Sequence, residues 1–258
     1  MSLPENLERF DTLVDIIARL RAPDGCPWDR EQTHASLREN LLEECYEVME
    51  ALDEGDTGKL REELGDLLMQ IVMHAQIARE AGDFELGDVL AGISTKLVQR
   101  HPHVFGSLKV TGTAEVLRNW EHIKREARGD ASMLDGVPRQ MPALGYSQEI
   151  QRRVARVGFD WEDIDGVIDK LVEEVGEFKQ SATDEQRAQE FGDLLFTLVS
   201  VARHLEIDAE AALREANRKF YRRFSAMEEL CRQRGMSFAD LSFAEQNALW
   251  EEAKRRVE

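Results

Sequence analysis

The stretch Leu60-Arg61-Glu62-Glu63-Leu64-Gly65-Asp66-Leu67-Leu68 decides how the chain folds. Leu60, Leu64, Leu67, Leu68, Ile71, Val72 and Ala75 recur at three- and four-residue steps, the period of one helix face. Glu63 and Asp66 stand three apart along the edge of that stripe, so both carboxylates share a face. The motif returns as Glu190-Phe191-Gly192-Asp193-Leu194-Leu195. A second acidic group precedes each copy: Glu43, Glu44 and Glu47 before the first, Glu173, Glu174 and Glu177 before the second.

Helical periodicity extends in both directions. Leu7, Phe10, Val14, Ile17 and Leu20 mark a first helix, closed by the turn-rich loop Ala22 to Asp29. Leu37, Leu41, Cys45, Val48 and Leu52 mark a second, with Cys45 read as a small buried residue. A helix over Leu86 to Arg100 should break at His101-Pro102, and another carries Trp120 and Lys124. In the second half, helices are expected over Leu144–Val157, around Val167–Phe178, after the capping box Thr183-x-x-Gln186, from Asp208 to near Gly235, and after Ser242-x-x-Glu245. No segment alternates like a strand. The expectation is an all-α protein of two tandem helical bundles: 1–127, a Gly- and Pro-containing linker 128–142, and 143–258.

The formal charge of -18 argues against a protein that coats nucleic acid, which needs Lys and Arg to neutralise phosphate. No apolar run approaches membrane-spanning length, and the first residues do not read as a secretory signal. The three cysteines form no CxxC pair. A cytoplasmic protein with neither a membrane nor a nucleic-acid partner is expected.

The two halves repeat in order and at nearly constant offset. Glu44 and Glu174 differ by 130, Asp66 and Asp193 by 127; Lys96 and Arg100 correspond to Lys219 and Arg223, Trp120 and Lys124 to Trp250 and Lys254. With 51 acids in the chain, an acid three residues from another arises by chance on the order of ten times, so one such pair is only a solvated helix face. Two pairs, recurring in both halves on helices that should pack antiparallel, are different. Four carboxylates converging at a core edge repel unless a cation sits among them. Oxygen ligands without His or Cys suit Mg²⁺ or Mn²⁺. The cationic pairs Lys219 with Arg223, and Lys254 beside Trp250, suit a polyphosphate near such a metal. The plainer alternatives are surface charges and a core tryptophan. His101-Pro102-His103 reads as a helix end, and Trp28 and Trp161 as bundle caps, although either tryptophan would also suit stacking on a base.

These residues resemble the MazG family of nucleoside triphosphate pyrophosphohydrolases over nearly the whole chain. The shared landmarks are Trp28-Asp29 followed by Gln32-Thr33-His34, the two acidic motifs, Arg100 to Gly106, Leu134-Asp-Gly-Val-Pro138 and Gly158-Phe-Asp-Trp161. The resemblance implies a Mg²⁺-dependent enzyme cutting a nucleoside triphosphate to monophosphate and pyrophosphate. It also implies a four-helix metal-binding bundle completed in a homodimer. By motif match, Glu44, Glu47, Glu63 and Asp66 are implied metal ligands in the first half, and Glu174, Glu177, Glu190 and Asp193 in the second. Lys219, Arg223, Trp250 and Lys254 match positions tied to substrate binding and catalysis, with Lys96, Arg100, Trp120 and Lys124 as their first-half counterparts. The segment between Glu177 and Glu190 departs from the pattern, being short and without glycine.

The mechanistic expectation is in-line attack of water at phosphorus. Glu43 or Glu173 is the spare acid that orients or deprotonates the water, while Lys219, Arg223 and Lys254 neutralise the leaving pyrophosphate. A di-iron carboxylate bundle needs Glu-x-x-His on two helices, and only Glu31-x-x-His34 occurs. A non-catalytic acidic interaction or nucleotide-binding protein is the remaining alternative.

Overall fold

The computed structural model describes residues 5–113, 115–116, 119–120, 123 and 132–257. The chain divides into two compact units, Met1–Gly129 and Asp130–Glu258. Among the described residues there is no strand, and no helix is long and apolar enough to cross a membrane.

The first unit contains α1 (Phe10–Arg21), α2 (Pro27–Glu31), α3 (Arg38–Glu54), α4 (Thr57–Ala81), α5 (Leu86–Arg100) and α6 (Pro102–Phe105). The loop expected after α1 contains the one-turn helix α2, because Pro27 occupies its first turn, where no N–H is needed. A hairpin joins α3 to α4. Gly55 closes α3 in the left-handed region at φ 68°, and Asp56 caps α4 by accepting from the N–H groups of Gly58 and Lys59. At 25 residues, α4 is about 37 Å long. Its two ends behave differently. Val72 and Met73, toward the C-terminal end, pack with Ile17 and Leu37 in the buried core, while Leu64 and Leu68 at the acidic end are 49% and 37% exposed. Pro102 opens α6 after His101 terminates α5 with its ring nitrogen 2.7 Å from the Leu97 carbonyl, as the helix-end reading expects. Cys45 is half-buried rather than buried.

The second unit contains α7 (Ala143–Ala155), α8 (Ile164–Gln180), α9 (Asp184–His204), α10 (Ala209–Arg234), a 3₁₀ turn (Phe238–Asp240) and α11 (Phe243–Val257). α8 packs along α9, α10 along α11, and α7 touches both α9 and α10. Two buried glutamines join these layers. Gln148 donates to the Ile207 carbonyl and accepts from Ala209 N–H, and Gln151 donates to the Phe196 carbonyl. Met227, Leu230, Cys231, Leu249 and Ala253 form the core between α10 and α11. Thr183 caps α9 by accepting from Gln186 N–H, but the Gln186 side chain accepts from Ala182 N–H rather than from Thr183. Ser242 and Glu245 make both arms of their capping box. Part of the stretch read as linker is held in this unit: Arg153 donates to the carbonyls of Met133 and Asp135, and Val137 is buried.

Candidate active site

The acidic pairs meet where α3 packs on α4 and where α8 packs on α9. In the first unit Glu44, Glu63 and Asp66 each place one carboxylate oxygen within 4.8 Å of the others, and in the second Glu174, Glu177 and Glu190 do the same. Glu47 and Asp193 stand outside these two groups but remain close enough to act by charge. Desolvation, then the charges of Asp66 and Glu47, raise the Glu44 carboxyl above its ordinary range. Desolvation followed by Glu47, Glu62 and Asp66 raises Glu63. Desolvation followed by Glu177, Asp193 and Glu174 raises Glu190.

The two clusters are held differently. Glu44 is hydrogen-bonded by the side chain of Gln70, a buried residue one turn beyond Asp66. A carboxylate only accepts, so the Gln70 Nε2 donates, and Gln70 Oε1 is left buried without a partner. In the second unit Lys170 takes the supporting role, its Nζ lying 2.7 Å from Glu173 Oε1 and 2.8 Å from Glu174 Oε1. These bonds, to Glu173 first and Glu174 next, raise the Lys170 ammonium above its ordinary range. Glu174 is 5% exposed, and its Oε2 is buried without a partner. A buried carboxylate oxygen with nothing to accept from is costly unless a donor or cation reaches it. Both triads consist of carboxylate oxygens alone, the donor set of a hard divalent cation.

The expected basic residues lie on neighbouring helices. The Arg223 guanidinium carbon is 5.7 Å from the centre of the Trp250 ring, bringing one residue of each recurring pair together between α10 and α11. Lys219 is exposed, and Lys254 is half-buried with its Nζ 2.6 Å from Glu251. In the first unit Lys96 is exposed, while Arg100 and the helical Trp120 are half-buried. Lys124 lies outside the described residues. Glu43 is exposed; so is Glu173, whose carboxylate is engaged by Lys170. Of the two tryptophans read as bundle caps, Trp28 is 58% exposed and Trp161 42% exposed, so neither is fully covered.

A family model described as "MazG nucleotide pyrophosphohydrolase domain" matches twice, over residues 32–105 and 163–226. Each match takes in one complete acidic cluster. The chain belongs to the MazG family. It is 44% identical over 247 residues to the Thermotoga maritima protein named "Nucleoside triphosphate pyrophosphohydrolase/pyrophosphatase MazG", covering 95% of each chain. It is also 44% identical over 259 residues to the Escherichia coli K12 "Nucleoside triphosphate pyrophosphohydrolase", covering 97% of this chain and 98% of that one. A Bacillus subtilis protein, "Uncharacterized protein YabN", is 47% identical over 251 residues, which span 95% of this chain and 51% of that one. The MazG domain is a helical bundle, and this chain carries two of them.

The reading of the acids missed two MazG-site partners. Lys170 was legible in principle, since Lys-x-x-Glu-Glu puts an ammonium one turn before both carboxylates. Gln70 was not, because an amide beside an apolar stripe carries no spacing signal until α3 is packed against it.

Proposed function

We propose that this MazG protein hydrolyses nucleoside triphosphates, ribo- or deoxyribo- and including aberrant ones, to the monophosphate and pyrophosphate in a Mg²⁺-dependent reaction that Mn²⁺ also supports. The observation that carries the reading is a carboxylate triad in each half, with the buried and unpartnered Glu174 Oε2 in the second. Glu44, Glu63 and Asp66, flanked by Glu47, would hold the cation in the first unit; Glu174, Glu177 and Glu190, flanked by Asp193, would hold it in the second. A cation held there would supply positive charge to the triphosphate and a water of lowered pKa. Glu43 or Glu173 takes the proton from that water, whose oxygen forms the new bond to phosphorus as the bridging P–O bond breaks. Lys219, Arg223 and Lys254 bind the phosphates and receive the charge that leaves with pyrophosphate. Lys96, Arg100 and Lys124 correspond to them in the first half, and Trp120 and Trp250 meet the nucleoside in this reading.

The active form is a homodimer. Supporting this are the apolar side chains left open on the acid-bearing helices: Leu64 is 49% exposed, Ile71 44%, Val172 67% and Phe191 50%. The three unpaired cysteines fit a reducing compartment, the cytoplasm.

The test is product analysis. Purified protein is incubated with a panel of NTPs and dNTPs in Mg²⁺ or EDTA, and the nucleotide and phosphate products are separated. Monophosphate with pyrophosphate, abolished by EDTA, is the expected result. Diphosphate with phosphate means cleavage at another bond and overturns the reaction; no turnover across the panel favours the non-catalytic binding role.

A further inference from the structure

Superposing the two repeats on their acids sets Glu44 against Glu174 and Asn40 against Lys170. The four acids correspond in sequence, but the three that close up differ, Glu44, Glu63 and Asp66 against Glu174, Glu177 and Glu190, and so does their immediate company. In the second unit Lys170 Nζ lies 2.7 Å from Glu173 and 2.8 Å from Glu174. The lysine side chain is one-third exposed, whereas that of Glu174 is 6% exposed, so the ammonium reaches the inward acid from the solvent side. In the first unit the corresponding Asn40 is neutral, and the donor on Glu44 is the uncharged amide of Gln70. The lysine whose charge bears on that triad, Lys59, is tied to Glu50 at 2.6 Å and Glu54 at 3.4 Å near the hairpin turn.

We propose that Lys170 is a built-in counter-cation of the second cluster, so that without nucleotide the two halves bind divalent cations unequally, the first half more tightly. The inference rests on the reading that both clusters hold such a cation. The Lys170 ammonium already satisfies Glu174 Oε1. An incoming divalent ion must either share Glu174 through Oε2 or displace Nζ. Sharing places a unit charge a few ångströms from the metal, and displacement breaks two charge-assisted bonds; either weakens binding on the order of tenfold after allowing for solvent screening. Among the described residues, the first triad has no such competitor on its inward acid. Gln70 holds Glu44 in place and leaves the full carboxylate charge for the metal.

The measurement is Mn²⁺ titration of the full chain without nucleotide, with free Mn²⁺ read by electron paramagnetic resonance and helix content checked by circular dichroism. The wild type should show two affinity classes about tenfold apart. Glu63→Gln should remove the tighter class and Glu190→Gln the weaker. Lys170→Met should draw the weaker class toward the tighter, and Asn40→Lys, made separately, should weaken the tighter class. The opposite assignment of the classes, or a single class that neither Lys170→Met nor Asn40→Lys moves, overturns the inference while leaving the metal reading intact. Absence of any bound Mn²⁺ overturns both.

Discussion

Arg21 holds the Trp28 turn in place. Its side chain, 6% exposed, bonds Glu80 on α4 at 2.7 Å and donates to the carbonyls of Asp29 and Gln32. Arg203 anchors the Phe159–Trp161 turn of the second unit through Asp160, from a different helix. Removing the buried cation takes the charged donor from Glu80, which keeps Gln76, and one donor from each of the two carbonyls. Arg21→Met should therefore cost roughly 2–4 kcal/mol, read as a lower denaturation midpoint. Neither anchor was legible in the sequence, because Arg21 and Glu80 are 59 residues apart and no periodicity links them. The acids were legible because both members of each pair lie on one helix. Glu44 gives a pH test. Its carboxyl is raised, chiefly by desolvation, so its ionised form disfavours the folded state; that penalty is absent below the ordinary value of 4.5 and complete above the raised value. In EDTA, Glu44→Gln should raise the melting temperature by roughly 2 °C at pH 8 and lose that gain as pH falls toward 4.5.

α4 shows what helical periodicity determines and what it leaves open. Its existence and acidic face follow from spacing, whereas its end is set by Gly82, which sits at φ 76°. Which part of the stripe is buried does not follow. α1 supplies Ile17 to cover Val72 and Met73, while Leu64 and Leu68 remain open, so a uniform pattern yields one packed end and one exposed end. The acids stand at the exposed end, where a cation and a polyphosphate have access. Helix ends were more legible than helix faces, since caps depend on residues a few positions apart. Gly235 ends α10 in the left-handed region at φ 63° with nothing within 4 Å of an added Cβ. Gly235→Ala should therefore cost about 1 kcal/mol through backbone strain alone, measurable by chemical denaturation.

At the scale of the molecule, duplication produces two MazG bundles whose acids correspond in sequence and whose surroundings do not match. The apolar side chains left open beside both triads were read from sequence as core, because a pattern records that a face must be covered and not by which chain. If a second copy covers it, Ile71→Arg combined with Phe191→Arg should convert dimer to monomer in light scattering with helix content retained. An unchanged mass would assign those faces to something else. A formal charge of -18 makes such association more costly at low salt.

The central claim, that the carboxylate triads carry the hydrolysis, is tested most directly by the double variant Glu63→Gln, Glu190→Gln, which removes one charge from each cluster and keeps its shape. Turnover of a nucleoside triphosphate to monophosphate and pyrophosphate in Mg²⁺ should fall by at least about a hundredfold relative to wild type, with the circular dichroism spectrum unchanged. Turnover within a few-fold of wild type would contradict the account and place the chemistry elsewhere on the chain.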